Sequence, residues 1–280
     1  MRWSERQLAM LREMGIRVWP VCHESDVQAQ PVPADAPAMA SASVRATPVN
    51  TDELRKAASA AVGTAQAPGR AAPASVTESG QRQADVAAMG WDALRDAVAA
   101  CTACKLCEKR KQTVFGAGST QAQWLIVGEA PGEQEDLAGE PFVGKSGQLL
   151  DSMLRAIGLT RGDAAPQRQV YIANTVKCRP PGNRNPAPDE LALCEPFLIR
   201  QLALLKPRII VAMGRFAVQS LLRSDEPVGR LRGRVHRYQG VPLIVTYHPA
   251  YLLRNPEDKA RAWDDLCLAV ETAKLAAQGS

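Results

Sequence analysis

Four short apolar runs set the strongest limit on how this chain can fold: WLIVG (Trp124 to Gly128), VYIANT (Val170 to Thr175), IIVAMG (Ile209 to Gly214) and LIVTYH (Leu243 to His248). Each is nearly continuous and bounded by Gly, Pro or polar turns. Strands covered on both faces read this way, and such strands belong to parallel sheets. Between and around them lie stretches of helical period: DALRDAVAA, GQLLDSMLRAIG, DELALCEPFLIRQLALL, RFAVQSLL and RAWDDLCLAVETAKLAA. The alternation predicts a three-layer α/β/α sandwich around a short central parallel four-stranded sheet. Ligands of such folds sit beyond the carboxyl ends of the strands, which here continue into GEAPGEQED, NTVKCRPPGN, GRFA and HPAYLLR.

That pattern occupies residues 90–280. Residues 25–89 are dominated by Ala, Pro, Ser, Val and Gln, a composition that buries too little apolar surface to offset its ordering entropy, so they are expected to form a flexible, disordered linker. Residues 1–24 hold a short amphipathic stretch, ERQLAMLREMGIRVW, with Leu8, Leu11, Met14 and Ile16 near helical spacing. No run is apolar for the roughly 18 residues of a membrane span, and the N-terminus carries charges where a signal peptide is apolar, so a soluble, cytoplasmic protein is expected. The net charge of +5 leans weakly toward an anionic partner.

GEPFVGKS, Gly139 to Ser146, matches the phosphate-cradling pattern G-x-x-x-x-G-K-[ST] at every specified position. A working cradle needs a strand running straight into the loop, and here the nearest strand ends at Gly128. Glu129, Glu133, Glu135 and Asp136 intervene, and no apolar strand ends in a magnesium-binding Asp. No bound nucleotide is expected, and Phe142 inside the loop needs another role.

Seven cysteines in a reducing compartment point to metal ligands or free thiols. Cys101, Cys104 and Cys107 form C-x-x-C-x-x-C, while Cys178 and Cys194 bracket RPPGNRNPAPDELAL. Four thiolates at such spacing suit a four-iron four-sulfur cluster, and zinc shares the ligand chemistry. Five candidates compete for four positions. Cys22 and Cys267 lack a partner at ligand spacing and read as free thiols.

The motifs CTAC, TVFGAG, VGEAPGEQED, GEPFVGKSGQLL, NTVKCRPPGNRNPAPDE and YHPAYLLR, in that order, resemble the family 4, iron-sulfur uracil-DNA glycosylases. The likeness runs from about Cys101 to the C-terminus. It implies a monofunctional enzyme that excises uracil from single- and double-stranded DNA, leaving an abasic site, with one 4Fe-4S cluster on Cys101, Cys104, Cys178 and Cys194 and no catalytic metal. Cys107 stands where the family has no ligand. The alternative is a uracil-DNA-binding or replication-associated module of the same fold without efficient release.

The resemblance also assigns roles. Glu129 orients or activates the attacking water, and His248 donates to uracil O2 as negative charge develops there. Phe142 offers a stacking face, and the side-chain amide of Asn174 suits the N3-H and O4 edge of uracil. Gly128, Ala130 and Glu135 complete the pocket wall. Tyr251, Leu252 and Leu253 read as an exposed wedge entering the duplex, and Lys145, Arg179, Arg184 and Arg254 as phosphate contacts. No Lys is placed as a Schiff-base nucleophile, so strand cleavage is not expected. Residues 1–20 are loosely similar to the peptide of the clamp-loader psi subunit that docks on chi, which suggests a replication partner. A monomer is expected.

Overall fold

The computed structural model of the protein describes residues 75–278 and, apart from them, Glu13. The expectations for residues 1–24 and for most of the linker lie outside the described residues. The end of the linker does not: Ser75–Ala88 form a helix, α1, so flexible chain does not extend to residue 89. Composition misled because few of its residues are large. Val86 is buried, Arg82 donates to the Leu193 carbonyl at 2.7 Å, and its guanidinium lies 5.0 Å from the Phe197 ring centre.

Elements then follow as α2 (Trp91–Ala99), β1 (Ala117–Gly118), β2 (Trp124–Gly128), α3 (Glu133–Ala138), α4 (Lys145–Ala156), β3 (Val170–Asn174), α5 (Pro188–Leu205), β4 (Ile209–Met213), α6 (Arg215–Leu222), α7 (Val228–Leu231), β5 (Val235–Tyr238), β6 (Val241–Thr246), α8 (Pro249–Arg254) and α9 (Lys259–Gln278). The sheet order is β1-β3-β2-β4-β6-β5. Its four central strands are parallel, as the apolar runs predict, while β1 and β5 are antiparallel edges absent from that expectation. Neither edge carries an apolar run: β1 has two residues, and β5 reads VHRY with alternating exposure. The β5–β6 hairpin turns on Gln239 and Gly240, both at positive φ, as a two-residue turn of this twist requires.

Alternation along the buried strands divides the core in two. Leu125, Val127, Ile210, Ala212, Leu243 and Val245 face one side with Leu198 and Leu202 of α5 and Val218 of α6. Trp124, Ile126, Ile172, Val211 and Ile244 face the other with Leu150 and Leu154 of α4 and Ala269 of α9. Helices therefore cover both faces, and the third layer is real. Among the described residues no helix is long and apolar enough to cross a membrane.

Candidate active site and cysteine centre

A cavity of about 340 Å³ opens beyond the carboxyl ends of β2, β3, β4 and β6, where the topology predicts it. Gly128 and Asn174 are register partners at the ends of β2 and β3. The pairing runs on past the strands, with the Thr175 N–H on the Gly128 carbonyl (3.1 Å) and the Val176 N–H on the Glu129 carbonyl (3.3 Å). Glu129 is thereby fixed beside the exit of β3. A Cβ on Gly128 would lie 2.4 Å from Asn174 Oδ1 and 2.7 Å from Phe142 Cζ, so only glycine lets those two side chains meet across the strand end.

Glu129, Phe142, Asn174 and His248, called for by four separate motifs, all line this cavity, with Ala130, Glu135, Arg184 and Arg254. Asn174 is 2% exposed, yet its Oδ1 accepts no hydrogen bond among the described residues. A buried acceptor left open costs about 1–3 kcal/mol, a cost that a ligand donor removes. Glu129 Oε1 accepts from the Phe216 N–H at the start of α6 (3.3 Å). Burial raises its pKa above the ordinary carboxylate value, against the lowering effects of the Phe216 and Arg215 N–H groups and of the Arg215 and Arg254 charges. Gly214, at φ +90°, lets this loop close: a Cβ there would stand 2.4 Å from Glu129 Oε1.

Burial, assisted by the Arg254 charge, pushes His248 down to about 4, so its imidazole is neutral near pH 7. Its Nδ1 accepts the Ala250 N–H at 3.1 Å as the N-cap of α8. A neutral ring accepting at Nδ1 carries its proton on Nε2, so His248 presents a donor. The ring stacks on Phe142, with centres 5.3 Å apart and planes 28° from parallel.

The GEPFVGKS loop holds Phe142 by devices its phosphate-like spelling conceals. Phe142 sits at φ 56°, and Arg161 donates to the carbonyls of Pro141 (2.8 Å) and Phe142 (3.1 Å) while pairing with Asp151 (2.7 Å). A Cβ on Gly147 would fall 1.8 Å from the Phe142 carbonyl oxygen. Glu135 Oε1 accepts the N–H groups of Val143 (3.0 Å) and Gly144 (3.1 Å), and Oε2 accepts that of Gly132 (3.1 Å). A carboxylate thus fills the donors that a phosphate would need. Glu135 lines the cavity but is engaged in tying its two loops together.

Other assigned residues take different places. Leu252 is fully buried, packed in one cluster with Trp263 and Leu266, so it cannot enter DNA. Tyr251 stacks on Tyr247 and donates to Asp258 at 2.7 Å. PAYLLR is a helix whose period turns Leu252 inward, leaves Tyr251 half-buried and puts Leu253, 45% exposed, toward solvent. Arg184 forms a two-pronged pair with Glu190 (2.9 and 2.6 Å), and Arg179 donates to Asn183 at 2.7 Å. Lys145 is exposed at the first turn of α4. Arg254 lines the cavity mouth. Sequence reasoning missed Phe216, Arg161 and, around Arg184, the wall of Asn183, Asn185 and Pro186; Gly147 and Gly214 were their nearest traces, as glycines that a close backbone approach demands.

Cys101, Cys104, Cys107, Cys178 and Cys194 line a second, small and largely apolar pocket with Arg110 and Lys177. The sulfurs of Cys101, Cys178 and Cys194 each meet an N–H: from Arg82 (3.6 Å), from Arg110 (3.3 Å) and from the Lys177 main chain (3.2 Å) respectively. Burial raises the Cys104 and Cys178 thiols and pushes Cys194 up to about 12. Among the described residues no group of three or more His, Cys, Asp or Glu stands at metal-binding geometry. The donor set nonetheless suits a soft, anionic centre, because converging sulfurs with N–H partners are what a thiolate-ligated cluster uses.

A model of the uracil DNA glycosylase superfamily matches residues 115–267, which include Glu129, Phe142, Asn174 and His248. The type-4 uracil-DNA glycosylase of Pyrobaculum aerophilum is 42% identical over 190 residues, covering 64% of this chain and 93% of that protein. That of Thermotoga maritima is 42% identical over 163 residues, 58% of this chain and 82% of the relative. A type-5 uracil-DNA glycosylase of Pyrobaculum aerophilum is 33% identical over 149 residues, covering 49% and 66% respectively.

Proposed function

The chain belongs to the uracil-DNA glycosylase superfamily, among its type-4 members, and from that premise we propose how its strand-end cavity releases uracil. The protein is a DNA-repair hydrolase of N-glycosyl bonds, and its substrate is uracil-containing DNA. The single observation that carries the assignment of the cavity is the open, buried Oδ1 of Asn174 beside Phe142 and His248. Uracil offers N3-H to that acceptor, whereas cytosine has no hydrogen on N3, so a site built on this bond leaves polar groups unpaired with the wrong base.

A base must leave the helix to reach the cavity, which costs a few kcal/mol and least where pairing is weak, as in U·G. Arg254, which lines the cavity, and the exposed Leu253 before it on α8 support the opened duplex, with Lys145 and Arg179 on phosphates. In the cavity Phe142 supplies a face for the planar ring. As the N1–C1′ bond breaks, its electron pair goes to the uracil ring, and the Nε2–H of His248 stabilises the charge gathering on O2. Glu129 orients the water whose oxygen bonds to C1′ and receives its proton. The products are free uracil and an abasic site in an uncut strand. Among the described residues no Lys lines the uracil cavity, and Lys177 is buried in the cysteine pocket, which supports release without strand cleavage.

Cys101, Cys104, Cys178 and Cys194 would hold the 4Fe-4S cluster, with Cys107, which lines the same pocket, outside the ligand set because the family pattern has no ligand at its position. When bound, the cluster supplies a cross-link joining the chain after α2, after β3 and on α5. Action on single- and double-stranded DNA in the bacterial cytoplasm, by a monomer, completes the reading. Docking of residues 1–20 on a replication protein is a separate proposal, tested by pull-down with and without that segment; equal recovery of partners dismisses it.

The test of function is release of free uracil from a U·G duplex and from single-stranded DNA by the full-length protein. Free uracil with an alkali-labile, otherwise intact strand is expected. Binding of uracil-DNA without release would favour the non-enzymatic reading.

A further inference from the structure

Lys177 belongs to neither set of assigned residues, yet it is bonded to a residue of each. Its side chain is 1% exposed, and its Nζ donates to the main-chain carbonyl of Asn174 (2.9 Å) and to Gln201 Oε1 (2.6 Å). Its own main-chain N–H meets Cys194 Sγ at 3.2 Å, and the next residue is Cys178. Gln201, itself fully buried, is held in turn by the Phe115 carbonyl (2.9 Å) and the Tyr171 hydroxyl (3.2 Å). Among the described residues no carboxylate pairs with Lys177, and the sulfurs of Cys178 and Cys194 are the groups beside it. An ammonium without a counter-charge is expensive to bury, and a charge-assisted bond to a carbonyl is stronger than a neutral one. Such a group is retained where it fixes something that matters.

We propose that Lys177 is a positioning residue that holds Asn174 in its uracil-reading pose from the cysteine centre, with its ammonium on the Asn174 carbonyl and its main-chain N–H on the Cys194 sulfur. The side chain reaches back along the chain to the last residue of β3, where Asn174 leaves its main-chain oxygen past the sheet and its Oδ1 open in the cavity. A loosened carbonyl there swings the side-chain amide away from the base. Base reading is thereby tied to the state of the cysteine centre, although Lys177 itself touches no substrate.

The inference rests on the uracil reading of the cavity, so wild-type release is measured alongside. In the full-length holoprotein, Lys177→Met is expected to weaken inhibition by free uracil roughly tenfold and to raise KM more than it lowers kcat, since a lost charge-assisted bond acts on base binding. Amide exchange in residues 174–178 should quicken while that of β4 does not. Gln201→Glu, close to isosteric, draws the ammonium off Asn174 and should move uracil inhibition in the same direction; it decides the matter if Lys177→Met does not fold. A folded variant of either kind with wild-type uracil inhibition and wild-type exchange overturns the proposal. Wild-type protein that releases no uracil instead defeats the reading of the cavity.

Discussion

The uracil cavity and the cysteine pocket both grow from the exit of β3, with Asn174 in one and Cys178 in the other, yet they treat their polar atoms in opposite ways. In the cavity a buried acceptor is left open and a neutral imidazole carries its proton on Nε2. In the cysteine pocket the sulfurs have already collected N–H groups from α1, from the arginine at position 110 and from the main chain. An open acceptor on a cavity wall leaves a bond for a ligand to make, whereas the sulfurs already have partners within the protein. The same contrast appears inside GEPFVGKS, whose main-chain donors are filled by Glu135 while its aromatic ring borders open space.

The sharpest way to break the contrast is to alter an open-site residue and find no loss of chemistry. Glu129→Gln should lower kcat by about 10²–10⁴-fold while DNA binding survives. The pH profile sharpens it further: the raised pKa of Glu129 means the carboxylate is lost as pH falls, at a pH above the ordinary carboxylate range and before His248 charges near 4. The acid limb should therefore disappear in Glu129→Gln, and a limb surviving there unchanged would assign it elsewhere.

Next in size is a change to the brace beneath Phe142. Gly147→Ala places a Cβ against the Phe142 carbonyl, so it should destabilise the protein by about 1–3 kcal/mol and weaken uracil inhibition as the ring moves. Thermal unfolding checks the first effect, and an unchanged midpoint would mean the loop has room to yield. Smallest is Lys145→Ala, at an exposed position outside the cavity: it should weaken DNA binding alike for all sequences and reduce the salt slope by about 0.9. An unchanged slope removes Lys145 from the phosphate contacts.

Strand and helix legibility followed burial. The four inner strands were readable because covering on both faces forces unbroken apolar runs, and α4, α5, α6 and α9 because each turns a stripe to that sheet. β1 and β5 carry no such constraint, since edges leave side chains to solvent, and the short helix α3 buries carboxylates, Glu135 and Asp136, in place of an apolar stripe. The positions lining the cavity were legible where a residue departs from the local pattern: Phe142 in a phosphate-like loop, His248 after a strand, Asn174 within an apolar run. What failed was orientation around a helix. Tyr251, Leu252 and Leu253 read as one exposed turn, but α8 sends Leu252 to Trp263 and Tyr251 to Asp258 and leaves Leu253 outside. The Arg161 clamp was invisible for a different reason, because its partners lie twenty and nineteen residues earlier in the chain and are main-chain carbonyls of any residue type.

The central claim is that the open Oδ1 of Asn174 reads uracil, and the most direct measurement compares release from U·G and C·G duplexes by the wild type and Asn174→Asp. The aspartate is expected to lower kcat/KM for uracil and raise it for cytosine relative to the wild type, so that the ratio between the two bases collapses. A ratio equal to that of the wild type in a folded variant would contradict the claim.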